Sequence, residues 1–146
     1  MVATESLLDG NQLSLTQLGR NITGSVAAKH NIKRIERLLG NHQLAQDKIT
    51  IYQWHARYLC GSNPMPIILV DCSDVREQLR IITLRASISA QGRSVTAYER
   101  TFLFEDYNAP HSHNAFLAEL ANVLPQGCCP FIPTDAGYRN TWFREV

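Results

Sequence analysis

Asn63-Pro64-Met65-Pro66-Ile67-Ile68-Leu69-Val70-Asp71 decides the fold. Two prolines stiffen the approach, and four apolar residues follow, three of them β-branched. β-Branched side chains suit an extended, buried strand. The reading is a strand over residues 67–70 with Asp71 at its C-terminal end. Residues 79–89 continue with β-branched and alternating apolar positions. Gln91-Gly92-Arg93 reads as a hairpin turn, and residues 94–104 as the returning strand. Together these predict a three-strand meander.

Beyond the meander, Asn108-Ala109-Pro110 breaks the pattern. Residues 113–124 then suit a helix, with Phe116, Leu117, Leu120, Val123 and Leu124 facing a core. Pro125-Gln126-Gly127 ends it. Residues 129–134 read as a short strand with Asp135-Ala136-Gly137 at its exit. The order from residue 65 onward is β-β-β-α-β.

Before the prolines the period is helical. Ser14-Leu15-Thr16-Gln17 has capping-box spacing, so a first helix starts there. A second helix is expected over residues 26–39, with Ile32, Ile35 and Leu39 on one face. Lys29, Lys33 and Arg37 recur every four residues on another face, with Arg34 beside them. Gly40-Asn41 is its stop. A third helix is expected over residues 47–59, with Ile49, Tyr52, Ala56 and Leu59 as its stripe. Such short helices cannot hide an apolar stripe alone and should pack together. The fold class is therefore α/β, with a helical region over residues 1–64 and a sheet-bearing region over 65–146.

The totals bound the function without choosing it. The chain has 146 residues, 45% hydrophobic and 18% charged, which excludes a disordered composition. Its net charge of +1 hides an asymmetry, because the basic residues outnumber the acidic ones in the front and not in the back. Nucleic-acid contact is thus better placed in the front. Cysteines stand at 60, 72, 128 and 129, with no C-x-x-C pair. That argues against a disulfide framework or zinc site and for a reducing, cytoplasmic setting. No apolar run is long enough for a bilayer, so no membrane partner is expected.

Asp71 and Asp135 each follow a strand and lie 64 positions apart. Carboxylates beyond neighbouring strands can meet at one crevice and hold a hard divalent cation. An Asp after a strand also caps turns, so pattern leaves both roles open. The basic side chains Lys29, Lys33, Arg34 and Arg37 suit DNA phosphates, or simply a solvated helix face. His111 and His113 lack a third ligand at zinc spacing. Trp54 and Tyr58, four apart, read as packing residues rather than base-stacking ones. Gly-rich phosphate-binding motifs are absent.

At these two aspartates the chain resembles a known family. Leu18-Gly19-Arg20-Asn21, Lys29-His30-Asn31-Ile32-Lys33-Arg34-Ile35, Arg37-Leu38-Leu39-Gly40-Asn41, Trp54-His55-Ala56, Leu69-Val70-Asp71, Ser73-Asp74, Arg76-Glu77-Gln78, Leu84-Arg85-Ala86-Ser87, Gly92-Arg93-Ser94-Val95-Thr96 and Asp135-Ala136-Gly137 carry the likeness. It is similar to bacterial DDE transposases of the insertion-sequence-four family, in the branch found in tetracycline-resistance transposons. The resemblance implies a ribonuclease-H-like core, with Asp71 and Asp135 as catalytic and metal-binding carboxylates. It implies Mg²⁺, with Mn²⁺ able to substitute. It implies transposon-end DNA bound by the helical front, strand cleavage and transfer, and pairing with full-length transposase. The family's third carboxylate, a Glu in a Tyr-Arg-x-x-x-Glu-type segment, has no counterpart before Val146. On this reading the core is truncated, metal binding is weakened or lost, and the chain alone is inactive. Two other readings stay open: a non-catalytic DNA-binding or inhibitory fragment, and a remnant reading frame without selected function.

Overall fold

The computed structural model describes residue 6 and residues 14–76, 80–90 and 92–133. Among them the architecture is mixed α/β, with helices and a three-strand antiparallel sheet. The chain divides into two compact units, Met1–Lys48 and Ile49–Val146.

In the first unit, α1 spans Leu15–Arg20, α2 Ala28–Leu39 and α3 His42–Gln46. Ser14 caps α1 by accepting from the Gln17 amide at 3.2 Å, as the capping-box spacing predicts. Helix α2 presents buried Asn31 and Ile35 on one side. Leu39, expected on that side, is instead 69% exposed. It is the last helical residue, where the stripe has run past its partner. Helix α1 approaches α2 through Gly19: a Cβ there would meet the Ile32 Cα at 2.5 Å and its amide nitrogen at 2.6 Å. Only a residue without a side chain fits that crossing. Helix α3 is not anticipated by periodicity. Its start is set by Asn41, whose Oδ1 accepts from the Gln43 amide at 3.0 Å.

The second unit contains α4 (Lys48–Cys60), β1 (Ile68–Arg76), β2 (Ile81–Ala90), β3 (Arg93–Leu103) and α5 (Pro110–Val123). The second unit begins at Ile49, within the expected third helix. The reason is the stripe of α4, which packs on the sheet: Ala56 and Cys60 join the core, and Ile49, Tyr52 and Leu59 lie against it.

Strand order is β1-β2-β3, all antiparallel, which is the expected meander. One sheet face carries Ile68 and Val70 of β1, Leu84, Ala86 and Ile88 of β2, and Tyr98 of β3. Phe116, Leu120 and Val123 of α5 complete this core. Its centre is aromatic. Tyr98 meets Tyr52 edge-on at 5.0 Å and Phe116 at 5.4 Å. Helix α5 begins at Pro110, three residues before the expected start, because proline's fixed φ suits a first helical turn.

A fourth chain segment runs beside the start of β1. Phe131 bridges Ile67 in parallel. The Cys129 amide donates to the Pro64 carbonyl at 2.8 Å, the Phe131 amide to Pro66 at 3.0 Å, and the Ile68 amide to Phe131 at 2.9 Å. These are the slanted, alternating bonds of a parallel pair. The Ser89 amide donates to the Ile67 carbonyl at 3.1 Å from the other side. The start of β1 is therefore flanked on both edges.

Candidate functional site

Asp71 does not end its strand. It is the fourth residue of nine in β1 and pairs with Arg85 of β2. The apolar run stops at Val70, but the ladder does not. Backbone pairing continues through Asp74, with Cys72 turned half inward and Asp71 and Asp74 exposed. A strand with one wet face needs no continuous apolar run.

Alternation places Leu69, Asp71 and Ser73 on the face opposite the core. Cross-strand register adds Arg85 from β2 and Glu99 from β3 in one row. Charges alternate across the three strands. Arg85 Nε reaches Glu99 Oε2 at 3.1 Å, with both side chains close to half exposed. Such a pair contributes about 0–1 kcal/mol, so its role is orientation more than stability. It draws the guanidinium toward β3. Among the described residues, the Asp71 carboxylate has no ion-pair partner.

Asp135 lies outside the described residues, as do Ala136 and Gly137. Among the described residues no group of three or more His, Cys, Asp or Glu side chains could hold a metal ion. Asp71 by itself offers exposed carboxylate oxygens, the donor type that Mg²⁺ takes alongside water and phosphate.

The basic residues of α2 stand together as expected from their spacing. Lys29, Lys33, Arg34 and Arg37 are all exposed, opposite buried Asn31 and Ile35. None is ion-paired among the described residues. Arg20, at the end of α1, is exposed too. Seven residues connect α1 to α2, more than the three or four of a helix-turn-helix turn.

Other sequence candidates fall differently. Trp54 and Tyr58 do not pack inward. They are 69% and 75% exposed and stack on each other, centroids 6.4 Å apart. His111 is at the surface, its Nε2 3.1 Å from Asp106 Oδ1. His113 is buried on α5, and burial pushes its pKa below the usual imidazole value.

One polar cluster escapes sequence reading. The Tyr98 hydroxyl donates to Glu119 Oε2, and Arg100 Nη1 donates to Glu119 Oε1 at 2.7 Å. Burial first, then the bond to Glu119, pushes the Tyr98 phenol upward. Glu119 thus ties α5 to β3. The partners lie 19 and 21 positions away, so no local motif announces them.

No protein-family model, no curated protein and no solved structure matches the chain. Among the described residues no helix is long and apolar enough to cross a membrane.

Proposed function

We propose that this chain belongs to the DDE transposases of the insertion-sequence-four family, whose action on DNA runs through a Mg²⁺-dependent carboxylate site. Asp71 and Asp135 are its two metal-binding carboxylates. Lys29, Lys33, Arg34 and Arg37 contact the phosphates of transposon-end DNA.

One observation carries the reading. Ile67 and Phe131 are parallel bridge partners 64 positions apart, and Asp71 and Asp135 are separated by the same 64. The proposal takes Asp135 as the second carboxylate on this equal offset. The meander, followed by a helix and a segment parallel to β1, is also the element order that a ribonuclease-H-like core begins with. The resemblance quoted above supplies the family. When bound, the metal would activate an attacking oxygen and neutralise charge at phosphorus. The protein's part is to hold Asp71 rigidly on a paired strand and to direct Arg85 toward Glu99, leaving the carboxylate for the cation.

The test is Mn²⁺ titration of the ¹⁵N-labelled chain. The expected result is paramagnetic broadening centred on the β1 amides around Asp71, lost in Asp71→Asn and in Asp135→Asn. Broadening that survives Asp135→Asn, or none at all at millimolar Mn²⁺, overturns the metal site.

A second reading is favoured by the exposed, unpaired stripe on α2: a DNA-binding protein without chemistry. It shares the α2 contacts and lacks the metal. Four phosphate contacts predict a slope of about −3.6 in log affinity against log salt for duplex DNA. Replacing Lys33, Arg34 and Arg37 together should remove most of it. Salt-dependent binding with no Mn²⁺ broadening selects this reading over the first.

A further inference from the structure

Cys60 and Cys128 stand 68 positions apart in sequence and meet in the second unit. Cys60 is the last residue of α4 and belongs to the core, and Cys128 packs against that core. Both border one cavity of about 170 Å³, with Asn63 and Gln126 on its wall. Each thiol is near enough to the other to shift its ionisation.

The backbone around them is held in place. Gly61 takes φ +55° and its amide donates to the Arg57 carbonyl at 3.1 Å, closing α4 just past Cys60. Gly127 takes φ +78°, and the Cys128 amide donates to the Pro125 carbonyl at 3.0 Å. The next amide, from Cys129, reaches Pro64 at 2.8 Å. Two glycine turns and a parallel contact thus fix the backbone at both cysteines beside the cavity they share.

We propose that Cys60 and Cys128 are a redox-active dithiol, which closes to a disulfide with low-molecular-weight disulfides and clamps the segment 128–131 beside the start of β1. The step balances without a metal. The Cys128 thiolate attacks one sulfur of the small disulfide and releases its first thiolate, leaving a mixed disulfide on Cys128. Cys60 gives up its proton, and its sulfur attacks the Cys128 sulfur and expels the second thiolate. The two protons end on the two released thiols. Two electrons pass from the cysteines to the small disulfide.

The order of attack follows from access, because Cys60 is buried and Cys128 only partly so. Burial, then the neighbouring Cys128, push the Cys60 thiol up to about 11, so it keeps its proton. Burial also raises Cys128. Cys128, the more accessible sulfur, is therefore the entry point, with Cys60 resolving. Cys129 is exposed and adjacent, and is the competing site.

The disulfide would act on the contact that precedes the proposed second carboxylate. Its formation does not depend on the transposase reading, and its test is separate from Mn²⁺ binding. The reduced full-length chain is titrated with cystamine, and its products are mapped by non-reducing mass spectrometry. In a Cys72→Ser/Cys129→Ser variant, the expected product is an internal Cys60–Cys128 disulfide, formed as in the parent and reversed by dithiothreitol. In a Cys60→Ala variant, Cys128 should stop at the mixed disulfide with cysteamine. Closure should slow amide exchange at Phe131 about tenfold, because the cross-link resists local opening of a long loop. Three results overturn the proposal: an internal disulfide that survives Cys60→Ala, a Cys128–Cys129 bond as the parent's main product, or only mixed disulfides in the Cys72→Ser/Cys129→Ser variant.

Discussion

Gly19→Ala separates packing from propensity at the helical unit. On propensity alone the change should help, since Ala is favoured over Gly inside a helix by about 1 kcal/mol. The crossing opposes it. The new Cβ would stand 2.5 Å from both the Ile32 Cα and Cγ1 and 2.6 Å from its amide nitrogen. A Cγ1 can rotate away, but a Cα and an amide nitrogen cannot without moving α2. Ordinary carbon contacts lie near ~3.5–4.0 Å, so the helices must part by roughly 1 Å. Overpacking of this kind costs about 1–3 kcal/mol, and rigid backbone on the receiving side puts it at the upper end. The net expectation is a loss of about 1–2 kcal/mol, or roughly ten-fold in the local opening equilibrium. Native-state hydrogen exchange reads this directly. Amides of α1 and α2 should exchange about ten-fold faster, while β1–β3 amides keep their rates. Gly40→Ala is the control, because its Cβ would meet only carbonyl oxygens at 3.9 and 4.0 Å. If Gly19→Ala protects α1 and α2 as well as the parent does, the close crossing is not what holds them.

Phe116→Ala removes a fully buried ring from the centre of the second unit and should cost about 3–5 kcal/mol, read as a fall in urea midpoint with the slope unchanged. Glu119→Gln keeps the shape but removes the charge that Tyr98 and Arg100 share; with Arg100 and Glu119 each about a third exposed, about 1 kcal/mol is expected from the same urea curves. His113 is held neutral by burial, so its folded pKa lies below its unfolded one. Its contribution is fully present above about pH 6.5 and is lost as pH falls through the depressed folded value, so the acid limb of stability should flatten in His113→Gln. For Cys60 the sign reverses: its contribution is intact below the unfolded pKa of 9.0 and lost as pH rises through about 11, a loss that Cys60→Ala should abolish in alkaline denaturation.

Periodicity reads an element's type better than its partner. The stripe Ile49, Tyr52, Ala56 and Leu59 announces an amphipathic helix, but nothing in it says which surface receives it. The expectation of three front helices packing together misplaces α4 for that reason, since its stripe meets the sheet and the aromatic pair Tyr98 and Phe116. Trp54 and Tyr58 mislead in the opposite way. Their size suggests core, yet they lie off the stripe and shield each other at the surface. Gly19 looks like a weak point in a helix, and its use appears only when Ile32 is brought against it. The basic row of α2 needed no partner to be read, because four-residue spacing alone puts its charges on one side.

The place of Asp71 was half legible for a similar reason. Four apolar residues in a row mark a strand, and the start of β1 is flanked by Ser89 on one side and Phe131 on the other, with Ile67 and Leu69 left exposed. After Val70 the polar residues look like an ending, because a turn and a strand with one solvated face share the same residue types. Pairing decides between them. The ladder to β2 carries Asp71 past the apolar run and sets it opposite Arg85, in mid-strand. That change matters for chemistry. A carboxylate on a frayed strand end can swing to meet an ion, whereas one held between Val70 and Cys72 on a paired strand presents its oxygens from a fixed backbone. On the proposed site, a metal or phosphate would approach the sheet from its face, across the exposed side chains of Leu69 and Asp71. On the proposed metal site, a second carboxylate would have to come to Asp71, because Asp71 is held within its paired strand.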